Sequence, residues 1–337
     1  MNRLFRFHFS FRLFAIGATI LSFAGVVHAE SKSLTSKASI RASQSALQYG
    51  QECAANVSPV PAFSCMNGEV IPILVNGVAP ANYTAGMTCD KPSLLLDETP
   101  NNDGQCVPNS RAILLRDDSF AQVTAICRQK KIRTQNLYLF DEIDIVAHNL
   151  RNGSTCWFRA IVPEPLNTGT GIDGRNVPSA TNPTGTVWDL PAKTAAGLCV
   201  TCHDSSPYMY SPYIAQTKAV PNDAFGKYQN NVGAEFRWWP IPRGITTRGN
   251  ACTTCHHMGN MNSCQVALKQ SIGQLAFKGQ DQAATQYPLS HWMSPGNLHS
   301  KMQWEPIFAE SANKLAACCE NPNLPECEVV HYNTLKK

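Results

Sequence analysis

Two short stretches carry residue types able to do chemistry together: Cys199-Val200-Thr201-Cys202-His203 and Cys252-Thr253-Thr254-Cys255-His256. In each, two thiols stand about one helical turn apart and an imidazole follows directly. Thiols at that spacing can add to the two vinyl groups of a porphyrin, while the adjoining imidazole reaches the iron from the same side. The pattern therefore calls for two covalently bound haem c groups, attached through Cys199, Cys202, Cys252 and Cys255, with His203 and His256 on the irons. A Cys-x-x-Cys pair alone would suit a redox dithiol or a zinc ion equally well. The histidine that follows it in both copies disfavours those readings. An all-thiolate zinc site would also need a compact module, whereas roughly fifty residues rich in Pro, Tyr and Trp separate the two pairs.

On these two motifs the chain resembles the c-type cytochromes, specifically small multihaem ones, and the resemblance covers only the motifs and their surroundings. It implies single-electron transfer between a donor and an acceptor. In multihaem cytochromes carrying Cys-x-x-Cys-His-His, the extra histidine often ligates the neighbouring haem, which implies that His257 closes the iron held by His203. An exposed histidine in a polar loop is the competing reading, and the residues leave both open. Opposite His256 the residues favour His291, in Leu289-Ser290-His291-Trp292-Met293-Ser294-Pro295, because it stands beside large apolar groups. Met293, His299, Met258 and an open coordination position are the alternatives there. Bacterial dihaem peroxidases also carry two such motifs, but in two separate haem domains; here 53 positions separate His203 from His256. Electron transfer without catalysis thus stands ahead of a haem peroxidase or oxidase, and ahead of a redox or ligand sensor.

The segments that must position the motifs begin with an export signal. Arg3, Arg6 and Arg12 precede the apolar run Leu13–Val27, and Val27-His28-Ala29 ends in a residue suited to cleavage. Without residues 1–29 the chain has 25 basic against 24 acidic residues, a balance of +1, which argues for neither nucleic acid nor an anionic membrane as partner. No later stretch is apolar enough to span a bilayer. Fourteen cysteines in an exported chain point to an oxidising compartment, read as a Gram-negative periplasm or the extracellular space, where the electron donor and acceptor would also reside. Ten of these cysteines lie outside the motifs. Proximity along the chain suggests Cys53 with Cys65, Cys89 with Cys106 and Cys127 with Cys156; Cys327 would take Cys318 or Cys319, and Cys264 the other.

Composition divides the rest into a flexible leader (30–50), a disulfide-rich α+β module (51–165), a Pro-, Gly- and Thr-rich linker or long loop (166–190) and a haem region (191–337). Asp118-Ser119 before Phe120, Val123, Ile126 and Cys127 predicts a capped amphipathic helix. Leu137–Ala147 and Thr155–Val162, joined at Asn152-Gly153, predict a β-hairpin, with His148 as an exposed residue near the strand end. Ser263–Leu275 and Phe308–Cys319 predict two helices, and the aromatic stretches Tyr208–Tyr213 and Arg237–Pro240 predict haem-pocket walls. The expected fold class is α+β: a disulfide-stapled, β-containing N-terminal module followed by a mainly helical, loop-rich dihaem domain.

Overall fold

The computed structural model describes residues 44–93, 102–163, 165–183, 187–197, 199–209, 211–219, 221, 227–259, 261, 263–268, 293–294, 297–298 and 301–332. The expected signal segment, most of the leader, His291 and His299 lie outside the described residues.

The organising element is a six-stranded sheet. Its strands are β1 (Glu69–Val70), β2 (Arg111–Asp117), β3 (Ala121–Arg128), β5 (Glu142–Asn149), β6 (Ser154–Ile161) and β8 (Asn230–Asn231), adjacent in that order. Neighbours are antiparallel except β6 and β8, which run parallel. Among the described residues there are also three two-stranded ribbons: β4 (Leu139–Phe140) with β7 (Ile172–Asp173), β9 (Arg243–Thr247) with β12 (Cys327–His331), and β10 (Met293–Ser294) with β11 (Asn297–Leu298). The α-helices among the described residues are α1 (Ala46–Asn56), α2 (Pro191–Ala196), α3 (Cys199–Cys202) and α4 (Lys301–Glu320). This overturns the expected mainly helical haem region: among the described residues only α4 is long, and the described parts between α3 and α4 are short strands, isolated helical turns and loops. The Pro, Gly and Asn content of that stretch works against regular helix.

The expected helix at 118–127 is also overturned, because it forms the end of one hairpin and a strand. The Asp118 carboxylate accepts from the backbone N–H groups of Phe120 and Ala121 at 2.8 and 3.0 Å, making a turn rather than a helix cap. β3 is then buried along most of its length. A strand covered on both faces loses the clean alternation of period two, so its apolar residues imitate helical spacing. The predicted hairpin is present: Glu142 pairs with Ile161 and His148 with Thr155, around a turn in which Gly153 has φ +72°.

One sheet face is apolar. Val123, Ala125 and Cys127 lie beside Ile143, Ile145 and Ala147, and these beside Cys156, Phe158 and Ala160. Helix α1 supplies Tyr49 and Cys53 to the same cluster; Ser45 and Gln48 form a capping box at its start. Two disulfides bind this layer, Cys53–Cys156 from α1 to β6 and Cys65–Cys127 onto β3. The expected Cys53–Cys65 and Cys127–Cys156 pairs are thereby corrected. Packing the helix across the sheet puts Cys53 beside a strand 103 residues away, so separation along the chain misleads. Cys89–Cys106 forms as expected, and Cys318–Cys327 with Cys264–Cys319 resolves the remaining choice.

The 166–190 stretch packs into this core. Val177 exchanges two backbone hydrogen bonds with Phe63, and Val60 accepts from Thr181 Oγ1. Between β3 and β5, Asp141 and Arg133 form an ion pair with both side chains at 0 % exposure. The same carboxylate accepts from the N–H groups of Lys130 and Lys131, so the loop is fixed by one buried anion.

Candidate functional site

The first motif is the helical turn α3. It follows α2, which starts with Pro191 at a first-turn position where its missing N–H costs nothing. The backbone N–H of His203 donates to Cys199 O at 3.0 Å, one turn back, which sets both thiols and the imidazole on a common helical surface. The second motif begins in a 3-10 turn, Cys252–Thr254, and makes the same bond: His256 N–H to Cys252 O, also 3.0 Å. Its framework comes from β9 and α4. Asn250 donates to Thr247 Oγ1 and to Ser311 O, each at 2.9 Å, while its own Oδ1 accepts from the Cys252 N–H at 3.0 Å. The four motif thiols are the cysteines that stay outside disulfides, the other ten being joined.

Burial favours the neutral form of the His203 and His256 imidazoles. It lowers the pKa of His203 to about 4, against the opposing pull of the Pro207 and Ser206 backbone, and it lowers that of His256 as well. It pushes the Cys252 thiol up to about 11. Among the described residues no three His, Cys, Asp or Glu side chains converge as a metal site.

The two motifs meet through the residues that follow them. Asp204, 3 % exposed, accepts from Met261 N–H at 2.8 Å and Ser263 Oγ at 2.9 Å. Ser205 Oγ donates to His257 O at 3.0 Å. Burial raises the Asp204 carboxyl to about 6, with the two hydrogen bonds and Arg243 opposing. His257 is half-buried and stacked on Tyr332, with ring centroids 4.0 Å apart and an interplanar angle of 15°. Its backbone thus lies at the tail of the first motif, and the expected exposed-loop alternative does not describe it. Met258 packs in the apolar cluster under the second motif with Ile245, Leu315 and Cys264. Met293 stands in β10.

The other face of the large sheet lies against the first motif, and the sequence reading did not anticipate it. Register places Gln122, Thr124 and Arg128 on the same face as His148, Asp144 and Glu142, and these beside Thr155, Trp157 and Arg159. The Trp157 ring lies 4.8 Å from that of His203. Tyr208 donates to Gln122 O at 2.9 Å, and Tyr228 donates to His203 O at 3.0 Å. Arg128 pairs with Asp144 at 3.1 Å and Lys130 with Glu142 at 2.7 Å. Burial and the neighbouring Glu142 push Asp144 up to about 7 despite Arg128. Arg159 pairs with Asp189 at 3.1 Å and lies within electrostatic reach of Cys199. His148 is corrected from an exposed strand-end residue to a core one: it is 2 % exposed, and its Nδ1 lies 2.9 Å from Thr155 Oγ1. The available signal was Glu142, Asp144 and His148 at even positions of a strand otherwise mostly Ile, Val and Ala.

Comparison with known proteins brings no match: no family model, curated protein or solved structure aligns with the chain.

Proposed function

We propose that this chain is an exported dihaem c-type cytochrome that passes single electrons between a donor and an acceptor protein. The observation that carries the reading is the repeated geometry of the motifs. Both close the same backbone hydrogen bond from the histidine to the first cysteine, at 3.0 Å, with their thiols outside the disulfide set. Cys199 and Cys202 would hold one porphyrin, Cys252 and Cys255 the other, and haem iron would supply the one-electron couple. His203 and His256 would each donate a neutral ring nitrogen. The bond from Tyr228 and the Trp157 ring fix the His203 backbone and imidazole, and the Asp204 junction keeps the two motifs at a constant separation. His257 is the proposed second ligand for the first iron and His291 for the second.

Export rests on separate support. Five disulfides are present, and among the described residues no helix is long and apolar enough to cross a membrane. Both fit a periplasmic or extracellular protein.

The test is the optical and paramagnetic-resonance spectrum of the holoprotein, oxidised and reduced, with and without carbon monoxide. Two low-spin irons indifferent to carbon monoxide are expected. A high-spin iron that binds carbon monoxide would replace electron transfer with a peroxidase- or oxidase-type chemistry. His257→Ala should change the spectrum of the haem attached at Cys199 and Cys202; a change confined to the other haem would remove His257 from the ligand set.

A further inference from the structure

The ribbon of β9 and β12 holds His257 through both its backbone and its ring. On β9, the Ile245 N–H donates to Met258 O at 2.6 Å, which fixes the chain just after His257. Ser205 Oγ, two residues past the first motif, donates to His257 O at 3.0 Å. β12 ends at His331, opposite Arg243, and the next residue, Tyr332, lays its ring on the His257 imidazole at 4.0 Å and 15°. Tyr332 is 5 % exposed and belongs to the same apolar cluster as Trp157, Val200 and Tyr228, against which Cys199 also packs. The stacked pair is therefore rooted in the surroundings of the first motif.

The chain makes room for this ring at one position. Gly244 stands opposite Val330 in the ribbon, and a Cβ there would overlap Tyr332 Oη and lie 2.7 Å from Cζ. Gly244 is not among the glycines of positive φ, so the phenol rather than the backbone conformation demands glycine. Apolar volume alone would fill the space; a flat ring parallel to an imidazole also fixes its orientation. The last torsion of a histidine side chain is broad and roughly two-fold, so an imidazole without such a neighbour swings about its Cβ–Cγ bond. A metal binds imidazole in the ring plane, through a nitrogen at its edge. A ring laid on the face of His257 thus stops rotation and leaves that edge open.

We propose that Tyr332 is a positioning residue for His257: its ring sets the plane of the imidazole offered to the iron held by His203, and Gly244 admits it. The proposal rests on the dihaem reading and on His257 as second ligand of that iron. Groups that orient a ligating histidine tune the metal it binds, and a fixed plane spares rearrangement when the iron changes charge.

The test uses oxidised holoprotein shown by mass to carry two haems. The low-spin paramagnetic resonance that disappears when Cys199 and Cys202 are replaced by alanine belongs to the first haem. In Tyr332→Leu that resonance should shift or broaden while the other stays in place. Cyanide should also replace His257 about two- to tenfold faster, the factor contributed by one stacked ring pair. Tyr332→Phe keeps the ring and should leave both readings unchanged; Gly244→Ala displaces the ring and should act like Tyr332→Leu. If His257→Ala alters the first resonance but doubly loaded Tyr332→Leu leaves it and the cyanide rate untouched, the role of Tyr332 alone is overturned. Equal shifts of both resonances, or an effect of Tyr332→Phe as large as that of Tyr332→Leu, would also overturn it. A His257→Ala protein with an unaltered first resonance would remove the ligand and this proposal with it. Missing haem mass in the unaltered protein would sink the dihaem reading itself.

Discussion

Gly259 stands where the two motifs are joined, and replacing it with alanine tests that junction. A Cβ there would overlap all three atoms of the Asp204 carboxylate, and the site is buried. The carboxylate is held by Met261 N–H at 2.8 Å and Ser263 Oγ at 2.9 Å, so it cannot swing aside freely. Two responses are open. The added methyl group strains the packing at about 1–3 kcal/mol, or the carboxylate turns away and gives up charge-assisted hydrogen bonds worth about 1.5–3 kcal/mol each. Either route predicts that Gly259→Ala lowers folding stability by about 3 kcal/mol. The measurement is guanidinium unfolding at pH 7.5, followed by tryptophan fluorescence, with slopes compared so that midpoints translate into stability. Gly169→Ala is the control: a Cβ there meets only Asn167 Oδ1, at 3.4 Å, and should change stability by less than about 0.5 kcal/mol. If Gly259→Ala unfolds within about 0.5 kcal/mol of the unaltered protein, the junction is not packed as described.

Three further expectations concern the same framework. The raised Asp204 carboxyl keeps its proton in the folded state between pH 3.8 and about 6, where the unfolded chain has lost it. Its contribution is therefore full below pH 3.8, declines through that window and ends lower by about 3 kcal/mol, a decline that Asp204→Asn should remove from a stability–pH profile. Asp141→Asn leaves the Arg133 guanidinium buried without its counter-charge and should cost about 3–5 kcal/mol in chemical denaturation; a loss below about 1 kcal/mol would mean that the pair does not anchor the loop. Replacing Cys65 and Cys127 together by alanine opens a link across 62 residues and should cost about 4 kcal/mol, read as a lower calorimetric midpoint, and an unchanged midpoint would contradict the pairing.

What could be read from the chain beforehand was local. Asn152-Gly153 between two β-branched runs identified the β5–β6 hairpin, because a turn with positive φ at Gly153 is a short-range requirement. The spacing of Phe308, Ala312, Leu315 and Cys318 identified the C-terminal half of α4 for a similar reason. Non-local features were not legible. Cys53 and Cys156 become neighbours only once α1 lies across the sheet, and nothing near either residue announces the other. The strand from Ala121 to Arg128 is covered on both faces, which erased its period. The motif residues themselves were conspicuous because the haem attachment proposed for them would demand fixed spacing. Their setting was not: Trp157 and Arg159 reach the first motif through tertiary packing alone, and Asp204, next to His203 in the chain, reaches the residues after the second motif the same way.

The central claim is that both Cys-x-x-Cys-His turns carry haem covalently, and the most direct measurement is the intact mass of the protein produced in a host with c-type haem maturation. The chain should carry two haems. Replacing Cys199 and Cys202 by alanine should remove one, and replacing Cys252 and Cys255 should remove the other. A mass matching the polypeptide alone, or one indifferent to these replacements, would contradict the account.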